Sequence, residues 1–128
     1  MATHARGKFE NKSWDENTIE EIGEGKVSHA SVQQSFTGDI TGDSNVDWHM
    51  YYAPDGTASF VGLQRIAARI GDRTGTLVVQ STGVFDGKEA RGDWVVVGAT
   101  GDLGELSGTG EFSAPMGSTG EYELDYDL

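Results

Sequence analysis

The chain has 128 residues, the usual size of one domain, and we expect a single domain over residues 1–128. Its 21 acidic and 9 basic residues give a net charge of −12, which argues against nucleic acid and anionic membranes as partners. With no cysteine and no apolar run of membrane-spanning length, disulfides, thiolate metal sites and membrane helices are excluded. Residues 1–6 lack the apolar stretch of a signal peptide, which predicts a cytoplasmic protein.

Apolar and polar residues alternate with a period of two along most of the chain, which is typical of half-buried β-strands. The pattern predicts eight strands, each with one inward face. In chain order the inward residues are Gly7 and Phe9; Ala30, Val32, Gln34 and Phe36; Val46, Trp48, Met50 and Tyr52; Phe60, Gly62, Gln64, Ile66, Ala68 and Ile70; Leu77, Val79, Ser81, Gly83 and Phe85; Ala90, Gly92, Trp94 and Val96; Gly110 and Phe112; and Tyr122, Leu124, Tyr126 and Leu128.

Short segments rich in Gly, Asp and Pro separate these strands and predict tight turns at residues 38–43, 53–56, 71–75 and 85–88. Two segments are longer. Residues 14–25 offer only Ile19 and Ile22 for burial and are interpreted as an acidic loop, whereas residues 98–108 are predicted to form a Gly-rich loop.

Eight short strands with hairpin spacing favour an all-β fold, an antiparallel meander that closes into a barrel. Inward glycines fit such closure because they permit strong coiling of the strands. A two-sheet sandwich predicts similar alternation and remains the alternative.

Several runs resemble a family of small bacterial proteins known as a domain of unknown function. They are residues 13–16 (SWDE), 58–63 (ASFVGL), 82–85 (TGVF), 101–110 (GDLGELSGTG) and 120–126 (GEYELDY). The family is similar in fold to allene oxide cyclase, so the resemblance implies an eight-stranded, calycin-like barrel with a hollow interior. Barrels of this wider group include cyclases that need no cofactor.

Two positions depart from the pattern that the resemblance implies. Ser81 stands where relatives have a histidine, and Gln64 stands where relatives are often acidic. Both differences remove a titratable group from the predicted interior, so chemistry that depends on that histidine is in doubt here.

The titratable residues lie mostly on the predicted outer face. His4, His29 and His49 all alternate with inward residues, so neither a histidine metal site nor a catalytic triad is predicted, and no cofactor is expected. Most carboxylates alternate outward as well. Four carboxylates in the predicted acidic loop can rim the mouth of a barrel, although a solvated charge is the simpler interpretation: Glu16, Glu20, Glu21 and Glu24.

The inner wall combines many aromatic rings with a few neutral polar groups, which is typical of a small-molecule site, although a packed core is the alternative. We expect a hydrophobic small molecule inside the barrel and a cofactor-independent cyclase or isomerase, or else a binding or carrier protein without turnover. The candidate catalytic residues are Tyr52, Gln64, Ser81 and Tyr122. The candidate ligand-binding residues are Gln34, Phe36, Trp48, Met50, Phe60, Phe85, Trp94, Phe112 and Tyr126.

The outer face of the fourth to sixth strands is not polar, which predicts an interface. The apolar residues that point outward there are Val61, Leu63, Val78, Val84, Val95 and Val97. A homodimer through this patch is expected, unless the loop at residues 98–108 folds back and covers the patch with Leu103 and Leu106.

Overall fold

Eight antiparallel strands, joined in chain order, form a closed barrel in the computed structural model, which describes residues 3–115 and 119–128. The ring closes because β1 pairs with both β2 and β8. The strands are β1 (Thr3–Ile22), β2 (Gly25–Gly38), β3 (Thr41–Tyr52), β4 (Ala58–Ile70), β5 (Arg73–Phe85), β6 (Glu89–Ala99), β7 (Ser107–Pro115) and β8 (Gly120–Asp127). The predicted meander barrel is confirmed, and a two-sheet sandwich is excluded.

The alternating pattern places the apolar faces inside the barrel as predicted. Trp48 and Trp94 are only 6% and 2% exposed, and they belong to one contiguous apolar core. Leu128 is the exception, because β8 ends at Asp127 and the Leu128 side chain is exposed. No helix in the described residues is long and apolar enough to cross a membrane.

Glycines on the inner face let the aromatic rings lie directly against the barrel wall. A Cβ atom at Gly83 would lie 2.6 Å from Cζ of Phe60, and one at Gly92 would overlap the Phe112 ring. The rings therefore occupy the space that side chains at Gly83 and Gly92 would fill. As a result, several aromatic groups come together inside a narrow barrel.

The predicted acidic loop at residues 14–25 is wrong, because β1 continues through this region as one strand to Ile22 and pairs with β2. Two shifts in register, between Asn11 and Ser13 and between Thr18 and Glu20, break the alternation. Pairing of β1 with β8 stops at Phe9, so the upper half of β1 extends beyond β8 at one end of the barrel.

The opposite end of the barrel is closed by apolar residues from two connections. Ile40, in the turn between β2 and β3, is fully buried. Leu103, at the end of a 3-10 turn over Gly101–Leu103, is also fully buried, and Leu106 is nearly so. The alternative in which Leu103 and Leu106 cover the outer apolar patch is therefore excluded, since both belong to the core.

Candidate ligand-binding site

A cavity of about 350 Å³ opens at the end of the barrel where β1 extends beyond β8. Its size lies at the lower end of the range for small-molecule sites. Seven strands contribute to its wall. The described residues that line it are Phe9, Asn11, Trp14, Gln34, Trp48, Met50, Tyr52, Ala58, Phe60, Phe85, Ala90, Phe112 and Ala114, and none of them is charged.

Aromatic rings form the floor of this cavity. The ring centroids of Trp48 and Phe60 are 4.9 Å apart, with the planes nearly perpendicular. The Phe112 ring lies 6.1 Å from Trp48 and 6.2 Å from Phe60. The Trp48–Phe60 contact is edge-to-face and the two contacts of Phe112 are tilted, and packing among the three rings is favourable and holds each ring in place. The floor is therefore preformed and apolar.

Below the floor lies a second aromatic layer that the cavity does not reach. The Trp94 ring stacks on the Tyr122 ring with centroids 5.7 Å apart, and the Phe36 ring packs against both. All three side chains are buried. This layer belongs to the packed core of the lower half of the barrel.

A chain of side-chain amides leads from the core to the cavity wall. Nε2 of Gln64 donates to Oε1 of Gln34 at 2.6 Å and to Oγ of Ser44 at 2.8 Å. Nε2 of Gln34 then donates to Oδ1 of Asn11 at 2.9 Å. Gln34 and Asn11 line the cavity, whereas Gln64 lies behind them. The amide N–H groups thus all point in one direction, from Gln64 towards Asn11.

A carboxylate lies beside the mouth of the cavity. Glu16 accepts hydrogen bonds from Nε1 of Trp14 at 2.8 Å and from Oγ of Ser28 at 2.6 Å. Burial alone raises the pKa of Glu16, but these two hydrogen bonds, together with the adjacent Tyr52 hydroxyl and the charge of Lys26, outweigh it, so this pKa lies below its ordinary value. Glu16 is therefore ionised at neutral pH and half-buried beside the mouth of the cavity.

The same cluster keeps the Tyr52 hydroxyl protonated. Burial, and then the adjacent Glu16 carboxylate, raise the pKa of Tyr52 to about 12. The hydroxyl also lies 3.6 Å from Sδ of Met50, and Nζ of Lys26 lies 5.2 Å from the centre of the Tyr52 ring. Tyr52 thus joins a polar rim to the apolar cavity.

Of the predicted ligand-binding residues, six line the cavity: Gln34, Trp48, Met50, Phe60, Phe85 and Phe112. Phe36 and Trp94 belong instead to the layer below the floor, and Tyr126 is half-buried on β8, which contributes no lining residue. Among the predicted catalytic residues, only Tyr52 lines the cavity.

The other three candidate catalytic residues occupy the interior away from the cavity. The Tyr122 hydroxyl accepts from the backbone N–H of Ile40 at 2.9 Å and lies within 3.0 Å of two carbonyl oxygens, so its bonding is to the barrel's own turn. Gln64 supports the amide chain. Ser81 is fully buried, and its Oγ has no hydrogen-bond partner among the described residues.

All three histidines lie on the outer face, as predicted. His29 Nε2 contacts Asp47 Oδ1 at 3.1 Å, and His4 Nδ1 contacts Asp125 Oδ1 at 2.6 Å. Within residues 3–115 and 119–128, no group of three or more potential metal-ligating side chains comes together.

A larger groove of about 1140 Å³ runs over the outside of the barrel, across β1 and β5 to β8. Glu123, Glu111 and Asp93 lie side by side on adjacent strands there, with Arg6 and Thr82 at the ends of the row. Like charges on paired strands repel one another. The groove is charged and lies outside the barrel, so the smaller interior cavity is the better candidate site for an apolar molecule.

The sequence interpretation missed Asn11 and Trp14, and it named Glu16 only as one of four loop carboxylates that can rim the mouth. All three lie on the part of β1 around its first change of register, at Asn11 and Ser13. Beyond it, Trp14 and Glu16 pair with the inward residues Val32 and Ala30. The alternation of Trp14, Glu16 and Thr18 was the available signal, shifted by one residue from that of Phe9 and Asn11.

Comparison with known proteins identifies relatives but no activity. A family model described as "Protein of unknown function (DUF3224)" matches residues 5–126. A solved structure of a DUF3224 protein of unknown function from Shewanella oneidensis MR-1 is similar, with a TM-score of 0.80 and 21% identity; the match covers 100% of this chain and 98% of that one. No curated protein matches the chain.

Proposed function

We propose that this chain, which belongs to the DUF3224 family, binds a hydrophobic small molecule inside its barrel. The observation that carries the proposal is the 350 Å³ cavity with its preformed aromatic floor. Removing apolar surface from water stabilises a complex by roughly 25 cal/mol per Å² before the costs of association. An apolar molecule gains this contribution here without reorganisation of the rings.

Small residues and a few polar groups around the cavity support binding of a ligand rather than a fully packed core. A barrel of eight strands can be filled by its own side chains or can hold one small ligand. Here the side chains fill the lower half, whereas small residues (Ala58, Ala90 and Ala114) border the upper half. Polar groups at a few points of an apolar cavity are the usual means of orienting a ligand.

A cofactor-independent cyclisation or isomerisation is a second candidate, favoured by the pair of Glu16 and Tyr52. This pair places a carboxylate that can accept a proton beside a protonated hydroxyl at the end of an apolar cavity. Such an enzyme would also use the cavity to fold a flexible substrate into its reactive shape. A catalyst returns the bound molecule with a changed structure, whereas a carrier returns it unchanged.

Filling the cavity should abolish binding of an apolar probe. N-phenyl-1-naphthylamine is uncharged, so the net charge of −12 does not dominate its binding, and its fluorescence rises in apolar surroundings. Ala58 is 6% exposed and faces the cavity, so Ala58→Trp is expected to weaken binding by more than about 10-fold, since the new side chain occupies the space of the probe.

Ser59→Trp is the matched control, because Ser59 is the next residue of β4 and is exposed on the outer face. It should bind the probe like the unchanged protein. Equal binding by both variants, or no saturable binding by the unchanged protein, would contradict the proposed function.

A further inference from the structure

We propose that the molecule bound in the cavity is uncharged and carries a carbonyl-type oxygen, which accepts a hydrogen bond from Nδ2 of Asn11. This inference rests on the proposed function and adds the chemical class of the ligand. It follows from the direction of the amide chain and from the charge around the mouth.

The amide chain leaves a donor at its outer end. Gln64 donates to Gln34, and Gln34 donates to Asn11, so the amide oxygens of Gln34 and Asn11 are both occupied. Asn11 is exposed at the cavity wall, its Oδ1 is the last acceptor, and its Nδ2 has no hydrogen-bond partner among the described residues. Hydrogen bonds in such a chain polarise one another, which strengthens the terminal N–H as a donor. The wall therefore offers a donor to an oxygen acceptor.

The buried end of the chain fixes this orientation. Gln64 is 2% exposed and both N–H bonds of its Nε2 have acceptors, Oε1 of Gln34 and Oγ of Ser44; reversing its amide would turn these two N–H groups to the side where Gln64 makes no hydrogen bond to the described residues. Gln34 would then also have to reverse. Gln64 is thus a positioning residue for Asn11 rather than a group that contacts the ligand.

The charge around the mouth disfavours a carboxylate ligand. The Glu16 carboxylate is ionised and accepts a hydrogen bond from Trp14, which lines the cavity. The ammonium of Lys26 lies over the Tyr52 ring and its charge already acts on Glu16, and the chain as a whole carries −12. A second anion beside Glu16 would be repelled in this partly desolvated position. An uncharged carbonyl group uses the donor without that repulsion.

Three probes with the same aromatic body separate these contributions. They are 2-acetylnaphthalene (a ketone), 2-ethylnaphthalene (a hydrocarbon of similar shape) and 2-naphthoate (a carboxylate), each measured by displacement of N-phenyl-1-naphthylamine. The ketone should bind about 2- to 12-fold more tightly than the hydrocarbon, as expected from one hydrogen bond. The carboxylate should bind most weakly, and more so at low ionic strength.

Asn11→Leu should lower ketone binding to the level of the hydrocarbon and leave hydrocarbon binding unchanged. Asn17→Leu, at an exposed position of the same strand, is the control and should keep the preference for the ketone. Equal binding of ketone and hydrocarbon by the unchanged protein, tighter binding of 2-naphthoate, or an equal loss for both neutral probes in Asn11→Leu would overturn the inference. Failure of all three probes to bind would instead contradict the proposed function.

A separate observation points to the partner of the outer apolar patch, and we infer that a second copy of the chain covers it. Five of its six predicted residues are strongly exposed: Val61, Leu63, Val84, Val95 and Val97. Val78 is half-buried. They lie on three neighbouring strands, β4 to β6, and Leu63, Gln80 and Val95 form one cross-strand row through the patch.

The distribution of charge identifies the occupant. Between Ala58 and Phe85 the chain has a single acidic residue, Asp72, out of 21, and it has three arginines, Arg65, Arg69 and Arg73, of which Arg65 is paired with Asp47 of β3. Copies with a charge of −12 repel one another over most of their surface. On the β4 and β5 part of the outer apolar patch, the repulsion between two copies is smallest and the exposed apolar surface is greatest. Two-fold pairing of this face with itself is therefore favoured.

Sedimentation at 1–100 µM, a range chosen to span the affinities of weak and moderate dimers, tests this pairing. The mass should approach twice 13.7 kDa and the dimer should tighten as salt is added, because screening reduces repulsion between the copies. Leu63→Glu should weaken association by more than about 100-fold, since a dimer buries two copies of this side chain. Ile19→Glu, at an exposed apolar position on β1, should leave the dimer intact. A mass of 13.7 kDa throughout, or a dimer that survives Leu63→Glu, would overturn this pairing.

Discussion

Replacing Trp94 with alanine is expected to lower the free energy of unfolding by about 3–5 kcal/mol. The Trp94 ring is 2% exposed and lies between Tyr122, Phe36 and Phe112, with centroid distances of 5.7, 5.9 and 6.1 Å. These rings are held by one another and by the barrel wall, so they cannot move to fill the space that alanine would leave. Urea denaturation followed by circular dichroism measures the change.

Asp93→Ala is the control for this prediction, because Asp93 is the preceding residue of β6, is exposed on the outer face and lies outside the outer apolar patch. Its effect should stay near 0.5 kcal/mol, as is usual for surface positions. A loss below about 1 kcal/mol for Trp94→Ala would show that the second aromatic layer is not packed as described.

Tyr122→Phe is expected to destabilise the fold by about 1–3 kcal/mol, although it removes only one oxygen atom. The hydroxyl accepts from the buried backbone N–H of Ile40 and lies 2.9 Å from the carbonyl oxygen of Thr37. Phenylalanine leaves the Ile40 N–H buried without an acceptor, and the turn between β2 and β3 loses its link to β8. The change is measured by the same denaturation experiment.

Tyr51→Phe provides the comparison, since Tyr51 is exposed on the outer face of β3. It should change stability by less than about 0.5 kcal/mol. If Tyr122→Phe also leaves stability unchanged while reducing ligand binding, Tyr122 would contribute to function rather than to closure of the barrel.

Most of the fold follows from alternation along the strands. Inward and outward residues differ strongly in polarity on β3 and β8, so their registers are determined by burial of one face. The turns follow equally directly, because Gly56, Gly71 and Gly87 have positive φ values of 90°, 64° and 99°, where glycine is favoured. These local signals agree, which is why the meander could be predicted.

The upper half of β1 could not be predicted in the same way. Apart from Trp14, Ile19 and Ile22 its side chains are mainly polar, and these three are themselves about half exposed. No apolar face distinguishes this segment from a loop, and the register shifts break its alternation. Pairing with β2 is a tertiary contact, so it cannot be predicted from the sequence of β1 alone.

Cavity walls and packed core also look alike in a sequence. Phe112 and Trp94 both point inward, yet Phe112 forms the floor of the cavity and Trp94 lies below it. Whether an inward residue lines the cavity or belongs to the packed core depends on its height along the barrel axis and on the stagger of the strands. For the same reason Tyr52 and Tyr122 were equivalent candidates, and only the structure separates a rim tyrosine from one that binds a turn.

The central claim is that an apolar molecule occupies the interior of the barrel, and a crystal soaked with 2-bromonaphthalene tests it most directly. Anomalous scattering from bromine locates the molecule without assumptions about its contacts. We expect one dominant bromine peak in the cavity above Trp48, Phe60 and Phe112, bordered by Met50 and Ala58. Side chains that fill this volume, or a dominant peak on the outer face with none inside, would contradict it.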